Sequence, residues 1–184
     1  MEKLIHCLSE LEKLKTVERG LNVGNRKESS AEHSWSCMLL ADILLDQVEE
    51  PLDRQKVMEY LLYHDLVEVY AGDAKFNDPA AMEVKEYKEH QAQLKIQELL
   101  PHSLRYTKII EEYESRLTPE AKFAKAIDCL DSCIRNLNDD NATAADGFTE
   151  ELIRDKYEPH VRMFSLTHQL FENLMQKLVA LGKV

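Results

Sequence analysis

The chain has 184 residues, 44% of them hydrophobic and 31% charged, with a formal net charge of −11. That length suits one domain with a buried core. The acidic balance excludes a general binder of nucleic-acid polymers or membrane surfaces, which needs clustered Lys and Arg, but leaves room for a small phosphorylated ligand in a local basic pocket. No run approaches about 18 consecutive apolar residues, and the start MEKLIHCLSELEKLK lacks a signal-peptide core, so a cytoplasmic protein without a membrane span is expected.

Five glycines and five prolines, set against long stretches of Leu, Glu, Lys, Ala and Gln, make all-α the expected class. The first helix is expected over Glu2 to Lys15, with Leu4, Leu8, Leu11 and Leu14 spaced by three and four. Arg19 to Asn25 breaks the pattern with two glycines and two asparagines. Ser29 or Ser30 caps a second helix that carries His33, Trp35, Cys37, Leu39, Leu40, Ile43 and Leu44 to about Val48. Pro51 opens a third, Leu52 to Val69, and Ala71-Gly72-Asp73 ends it.

After a loop through Pro79, a highly charged helix is expected from Ala80 to Leu100 and a shorter one from Leu104 to Ser115. Thr118 caps, and Pro119 begins, a helix reaching about Leu137. Asn136 to Gly147 reads as a polar loop. The last helix runs from Thr149 to about Leu181, with Pro159 a candidate interruption. The whole chain, 1–184, is read as one bundle of about six or seven helices, with a motif-bearing core over about 4–135 and a C-terminal helix over about 149–181.

The chemistry lies in His33, the adjacent pair His64-Asp65, and Asp128, each on a segment read as helix. A buried charged pair is costly unless compensated, and a metal ion is a strong compensator. Two imidazoles and two carboxylates suit one divalent ion, Mn²⁺, Co²⁺, Fe²⁺, Ni²⁺, Zn²⁺ or Mg²⁺, and leave coordination positions for water and a substrate oxygen. Taken singly, a histidine on an apolar helix is ordinarily a core or surface residue; the joint pattern of four ligand types is what points to a metal.

Glu68 follows Asp65 by three residues, toward the same side, where it can orient or activate a water, and Asp73 stands at the rim. Arg19, in the Gly/Asn-rich break, suits a phosphate through its bidentate guanidinium. Lys122, about 9 Å along the helix axis from Asp128, is a second candidate for a bound anion, with Lys125 between them. His90 and His102 lie in a charged run and after a proline, a poor setting for a second metal. His6, His160 and His168 read as structural or exposed. Cys7, Cys37, Cys129 and Cys133 lack metal-site spacing and read as buried reduced thiols.

Glu28-Ser29-Ser30-Ala31-Glu32-His33-Ser34, Tyr63-His64-Asp65-Leu66-Val67-Glu68 with Ala71-Gly72-Asp73, and Ala124-Lys125-Ala126-Ile127-Asp128 together resemble the HD-domain phosphohydrolases. Within them the likeness is to the bacterial 5′-deoxynucleotidase group and its eukaryotic HD-domain relatives, over roughly Leu4 to Arg135. The resemblance implies a divalent-metal phosphomonoesterase that releases nucleoside and phosphate from nucleoside 5′-monophosphates. It implies His33, His64, Asp65 and Asp128 as metal ligands, Glu68 acting on the water, Asp73 on the sugar, Arg19 on the phosphate, and a homodimer.

Where the bacterial enzymes carry a Trp after the phosphate-binding Arg, Gly20 stands here, so nothing visible excludes a ribose hydroxyl. Their Pro-rich stretch after Gly-Asp is replaced by Ala74-Lys75-Phe76-Asn77-Asp78, whose Phe76 is a candidate for base stacking or for packing under a loop. Two other readings stay open: an HD-scaffold hydrolase of another phosphorylated metabolite or a phosphodiester, and a non-catalytic nucleotide-binding regulatory module.

Overall fold

The structure, a computed structural model, describes residues 1–74, 77–143 and 147–184. Helix α1 spans Glu2–Leu11 and tightens into a 3₁₀ turn over Glu12–Thr16. Strands β1 (Glu18–Val23) and β2 (Arg26–Ser29) then form an antiparallel hairpin. The remaining helices are α2 (Ser30–Leu45), α3 (Arg54–Tyr63), α4 (Glu68–Ala71), α5 (Pro79–Leu99), α6 (Ser103–Ser115), α7 (Pro119–Asn138), α8 (Glu150–Val161) and α9 (Ser165–Ala180).

The all-α expectation stands, with the hairpin added in the segment read only as a break. The hairpin has its own local cause: Gly24-Asn25 separates two extended runs, and Gly24 supplies the positive φ of +58° that the tight turn needs. The pairing register is irregular between Glu18 and Asn22, which places Arg19 in a bulge. The Asn22 backbone and side-chain amides donate to Asp139 Oδ2 at 2.7 and 2.8 Å, tying the hairpin to the end of α7.

Helix α7 is the axis of the bundle and packs against α2, α3, α6, α8 and α9. Phe123, Ala124, Ala126, Ile127 and Leu130 on α7 are fully buried, so its apolar residues surround it on several sides. Thr118 Oγ1 accepts from the Ala121 amide, and Pro119 takes the first turn, so this end forms as expected. At the other end Lys183 Nζ donates to the carbonyls of Asn136, Leu137 and Asp139, covering acceptors that the last helical turn leaves free. A second, smaller core gathers Leu14, Leu66, Ile96, Tyr106 and Ile110 beneath α5 and α6.

Four boundaries differ from expectation. The helix expected over Leu52 to Val69 stops at Tyr63, and residues 64–67 turn through short bonds such as Leu66 N to Tyr63 O and Glu68 N to Asp65 O before α4 begins. His64 Nδ1 donates to the Leu61 carbonyl at 2.9 Å, a side-chain contact that suits a helix end better than an interior. The last helix splits after Val161 and not at Pro159, which sits inside α8; Thr167 Oγ1 donates to the carbonyls of Val161 and Phe164 across the break. These two divisions raise the helix number above the expected six or seven. The expected helix ends at Lys15 and Val48 become Leu11 and Leu45.

Candidate metal centre

Each ligand-type residue is held by a different local device. Ser29 caps α2 with a full capping box: its Oγ accepts from the Glu32 amide while Glu32 accepts from the Ser29 amide at 2.9 Å. That cap starts α2 one turn before His33, which is completely buried. His64 and Asp65 come from the turn after α3, and Asp128 from the middle of α7. The tertiary packing of α2, α3 and α7 brings them to one point.

There the polar atoms converge. His33 Nε2 lies 3.0 Å from Asp128 Oδ1 and 3.8 Å from Asp65 Oδ2, and His64 Nε2 lies 3.3 Å from the same Asp65 oxygen. The two imidazole centroids are 5.4 Å apart. Because His64 Nδ1 donates to Leu61, its Nε2 carries the lone pair, and this buried nitrogen has no hydrogen-bond partner. A buried imidazole nitrogen aimed at two carboxylates and a second imidazole is the donor set a divalent cation satisfies. The residues therefore fit a metal.

Asp131, which sequence reasoning passed over, orients His33. Its Oδ2 is 2.8 Å from His33 Nδ1, and its Oδ1 accepts from Ser36 Oγ at 2.5 Å. Asp131 is one turn past Asp128 on the same face of α7, and that i, i+3 spacing was the available signal. Such a carboxylate behind a ligating imidazole fixes the tautomer and raises the basicity of the outward nitrogen. Burial, and then the charge of Arg19, oppose protonation of His33, but Cys37 and the hydrogen bonds to Asp128 and Asp131 outweigh them and raise its pKa well above the usual range.

Cys37 also approaches the cluster, with Sγ 3.5 Å from His33 Nε2. Burial pushes its thiol up to about 12, which disfavours the thiolate a metal needs, and Asp65 offers an ionised oxygen at the same point. Cys37 is packing against the ring. All four cysteines are free and buried, as expected.

The cluster opens into a cleft of about 410 Å³. Glu68 lines it, 8% exposed, and its Oε2 has no hydrogen-bond partner. Burial first, and then the charges of Asp65 and Asp73, push its carboxyl well above the usual carboxylate range. Arg19 enters from the hairpin bulge: Nη1 donates to Asp65 Oδ2 at 3.2 Å and lies 4.0 Å from Asp73 Oδ1, and Nη2 donates to Ser132 Oγ at 3.4 Å.

Lys122 does not line the cleft; Lys125 does, and its Nζ donates to Asp128 Oδ2 at 2.7 Å. Axial distance does not decide this, because six residues turn Lys122 about 120° around the helix from Asp128 while three leave Lys125 about 60° away. Burial opposes the charge of Asp128, and the Lys125 ammonium with His33 and His64 overrides it, holding the carboxyl well below its usual range. His160, read as structural or exposed, also lines the cleft; His90 lines a neighbouring cavity shared with His64. Beside Arg19 a smaller cavity of about 80 Å³ is walled by Gly20, Leu21, Phe148, Ile153 and Tyr157. Phe76 lies outside the described residues.

A helical bundle that gathers two histidines and two aspartates at the junction of three helical segments has the architecture of an HD-type metal centre. The chain belongs to the HD domain family, whose sequence profile matches residues 11–174. It is 32% identical to human 5′-deoxynucleotidase HDDC2 over 105 residues, which are 56% of this chain and 50% of that protein. It is also 32% identical to 5′-deoxynucleotidase hdd1 of Schizosaccharomyces pombe over 133 residues, 67% of this chain and 64% of the relative. The match thus spans about half the length of the human relative.

Among solved structures, a predicted metal-dependent phosphohydrolase from Magnetospirillum magnetotacticum MS-1 superposes with a TM-score of 0.86 at 30% identity. That superposition covers 100% of this chain and 97% of the other. No helix among the described residues is long and apolar enough to cross a membrane.

Proposed function

We propose that this chain is a metal-dependent phosphomonoesterase that hydrolyses nucleoside 5′-monophosphates to nucleoside and phosphate. The observation that carries the reading is the convergence of His64 Nε2, His33 Nε2, Asp65 and Asp128 beside the half-buried guanidinium of Arg19. Family membership and the likeness to two 5′-deoxynucleotidases support the substrate class.

In this reading His33, His64, Asp65 and Asp128 hold one divalent ion. When bound, such an ion supplies Lewis acidity, lowering the pKa of water and polarising a phosphoryl oxygen. Glu68 takes a proton from the attacking water, a role its unpartnered oxygen in the cleft suits. The terminal nitrogens of Arg19 exchange Asp65 and Asp73 for the phosphate, and Asp73 contacts the sugar.

Lys125 takes the anion-facing place expected of Lys122 and holds Asp128 in its ionised form. The cleft of about 410 Å³ receives the nucleotide, and Gly20, which walls the adjoining small cavity without a side chain, leaves room for ribose as well as deoxyribose. A cytoplasmic homodimer belongs to the same reading; exposed Trp35, Leu39 and Ile43 give α2 an apolar stripe suited to a second copy.

The test is phosphate release by metal-stripped protein resupplied with Mn²⁺ or Co²⁺, against all ribo- and deoxyribonucleoside 5′-monophosphates. Metal-dependent release from several of them is expected, with a ribo-to-deoxy ratio near one. No release from any, with metal bound, would turn the substrate search to diesters and other phosphorylated metabolites.

A further inference from the structure

Arg19 can serve an anion only if its guanidinium is held in one orientation, and the hairpin carries a side chain placed to do that. Glu28 on β2 is buried, 4% exposed, and its Oε2 lies 3.3 Å from Arg19 Nε. Among the described residues this is its only ion pair, and it meets Nε while the Asp65 and Asp73 contacts fall on Nη1.

The backbone is arranged for it as well. Arg19 sits where the β1–β2 register is irregular, and Lys27 Nζ, next to Glu28, donates to the Gly20 carbonyl at 2.6 Å and so braces the bulge. A bulge beside a cleft re-aims a side chain, and a carboxylate behind Nε then fixes the plane of the fork.

We propose that Glu28 is a positioning residue for Arg19: it anchors Nε so that both terminal nitrogens stay presented to the substrate phosphoryl group. This rests on the reading of Arg19 as the phosphate contact. The partners of the terminal nitrogens are exchangeable, because Asp65 and Asp73 line the cleft that a ligand enters. Glu28 does not line that cleft; it walls the small cavity beside Arg19, 4% exposed, and is placed to stay its partner when an anion enters the cleft. An isolated arginine in the bulge would instead swing between the carboxylates of Asp65, Glu68 and Asp73.

The test is a double-mutant cycle read by calorimetric titration of methylphosphonate, which the protein cannot hydrolyse, into metal-loaded wild type, Glu28→Gln, Arg19→Ala and the double variant. Glu28→Gln keeps the shape and removes the charge, so affinity is expected to fall about tenfold alone and by less than about twofold once Arg19 is gone. KM for a nucleoside 5′-monophosphate should rise by the same factor with kcat within about twofold, the pattern of a lost binding contact. Glu28→Asp, which keeps the charge but draws it back, should lose less.

An equal loss in the Arg19→Ala background, or loss of bound metal in Glu28→Gln, would overturn the proposal by making Glu28 a structural or ligand-supporting residue. Unchanged methylphosphonate affinity in Arg19→Ala would overturn it together with the phosphate role of Arg19. A cycle that behaves as expected in a protein that hydrolyses no nucleotide would uphold Glu28 and refute the substrate assignment.

Discussion

Replacing Asp131 by Ala tests whether the metal centre depends on the residue behind it. Asp131 is 2% exposed; one oxygen meets His33 Nδ1 at 2.8 Å and the other accepts from Ser36 Oγ at 2.5 Å. Alanine leaves the buried His33 Nδ1 without an acceptor, at about 1–3 kcal/mol, while the half-buried Ser36 hydroxyl loses its partner at a smaller cost, so the metal-free protein should lose roughly 1–4 kcal/mol of stability. It also frees the His33 ring to rotate or change tautomer. Loss of such a partner costs about 10–100-fold in metal affinity, roughly 1.4–2.7 kcal/mol.

Asparagine is the informative companion. Its carbonyl can still accept from His33 while the Ser36 hydroxyl turns to accept from the amide, so only the negative charge is lost. Asp131→Asn should therefore weaken metal binding by less than about tenfold, below the range of the alanine change. Competition against a chelator of known Mn²⁺ or Co²⁺ affinity measures both, and circular dichroism checks that the variants are folded. Metal affinity within about twofold of wild type in folded Asp131→Ala would refute the reasoning and leave Asp131 as a packing residue. So would equal losses in the two variants, since geometry and charge would then not be separable as argued.

Glu68→Ala should retain metal and methylphosphonate binding while turnover falls by about 10²–10⁴-fold; metal loss measured by mass spectrometry would instead make Glu68 a ligand. Lys125→Met should lower kcat/KM by more than about tenfold through Asp128, while Lys122→Met, off the cleft, should stay within about twofold in the same steady-state assay. Phe123→Ala removes a fully buried ring from α7 that stacks edge-on to Phe164 at 5.3 Å. It should cost about 3–5 kcal/mol, a fall of roughly 6–20 °C in Tm by calorimetry, and a drop under about 2 °C would place the core elsewhere.

Much of this molecule is set by short-range rules that a single chain displays. The helix class follows from composition, and the starts at Ser29 and Thr118 follow from capping chemistry, which involves residues three apart and needs no distant partner. The hairpin was legible in principle: two extended runs separated by Gly24-Asn25 are a turn signal, but the polar residues around it read as a break. The split after Val161 was not legible, because Pro159 tolerates a place inside α8 while the break rests on where Phe164 and Thr167 pack.

The same division runs through the site. His33, His64, Asp65 and Asp128 could be singled out because imidazole and carboxylate are ligand chemistry wherever they stand, and the family motifs tie them together. Which atoms face inward was decided by side-chain direction in the folded chain, set by near neighbours at His64 and Lys125 and by tertiary contacts at His33. The Leu61 carbonyl accepts from His64 Nδ1 and leaves Nε2 free, Asp131 holds His33 from behind, and Glu28 reaches Arg19 across the hairpin. Lys125 faces Asp128 where Lys122 cannot, because helical rotation, not axial distance, sets which side chains share a cleft. Residue type carries the capacity for chemistry; direction belongs to the fold, since a side chain's free atoms are those that its neighbours in space leave unpartnered.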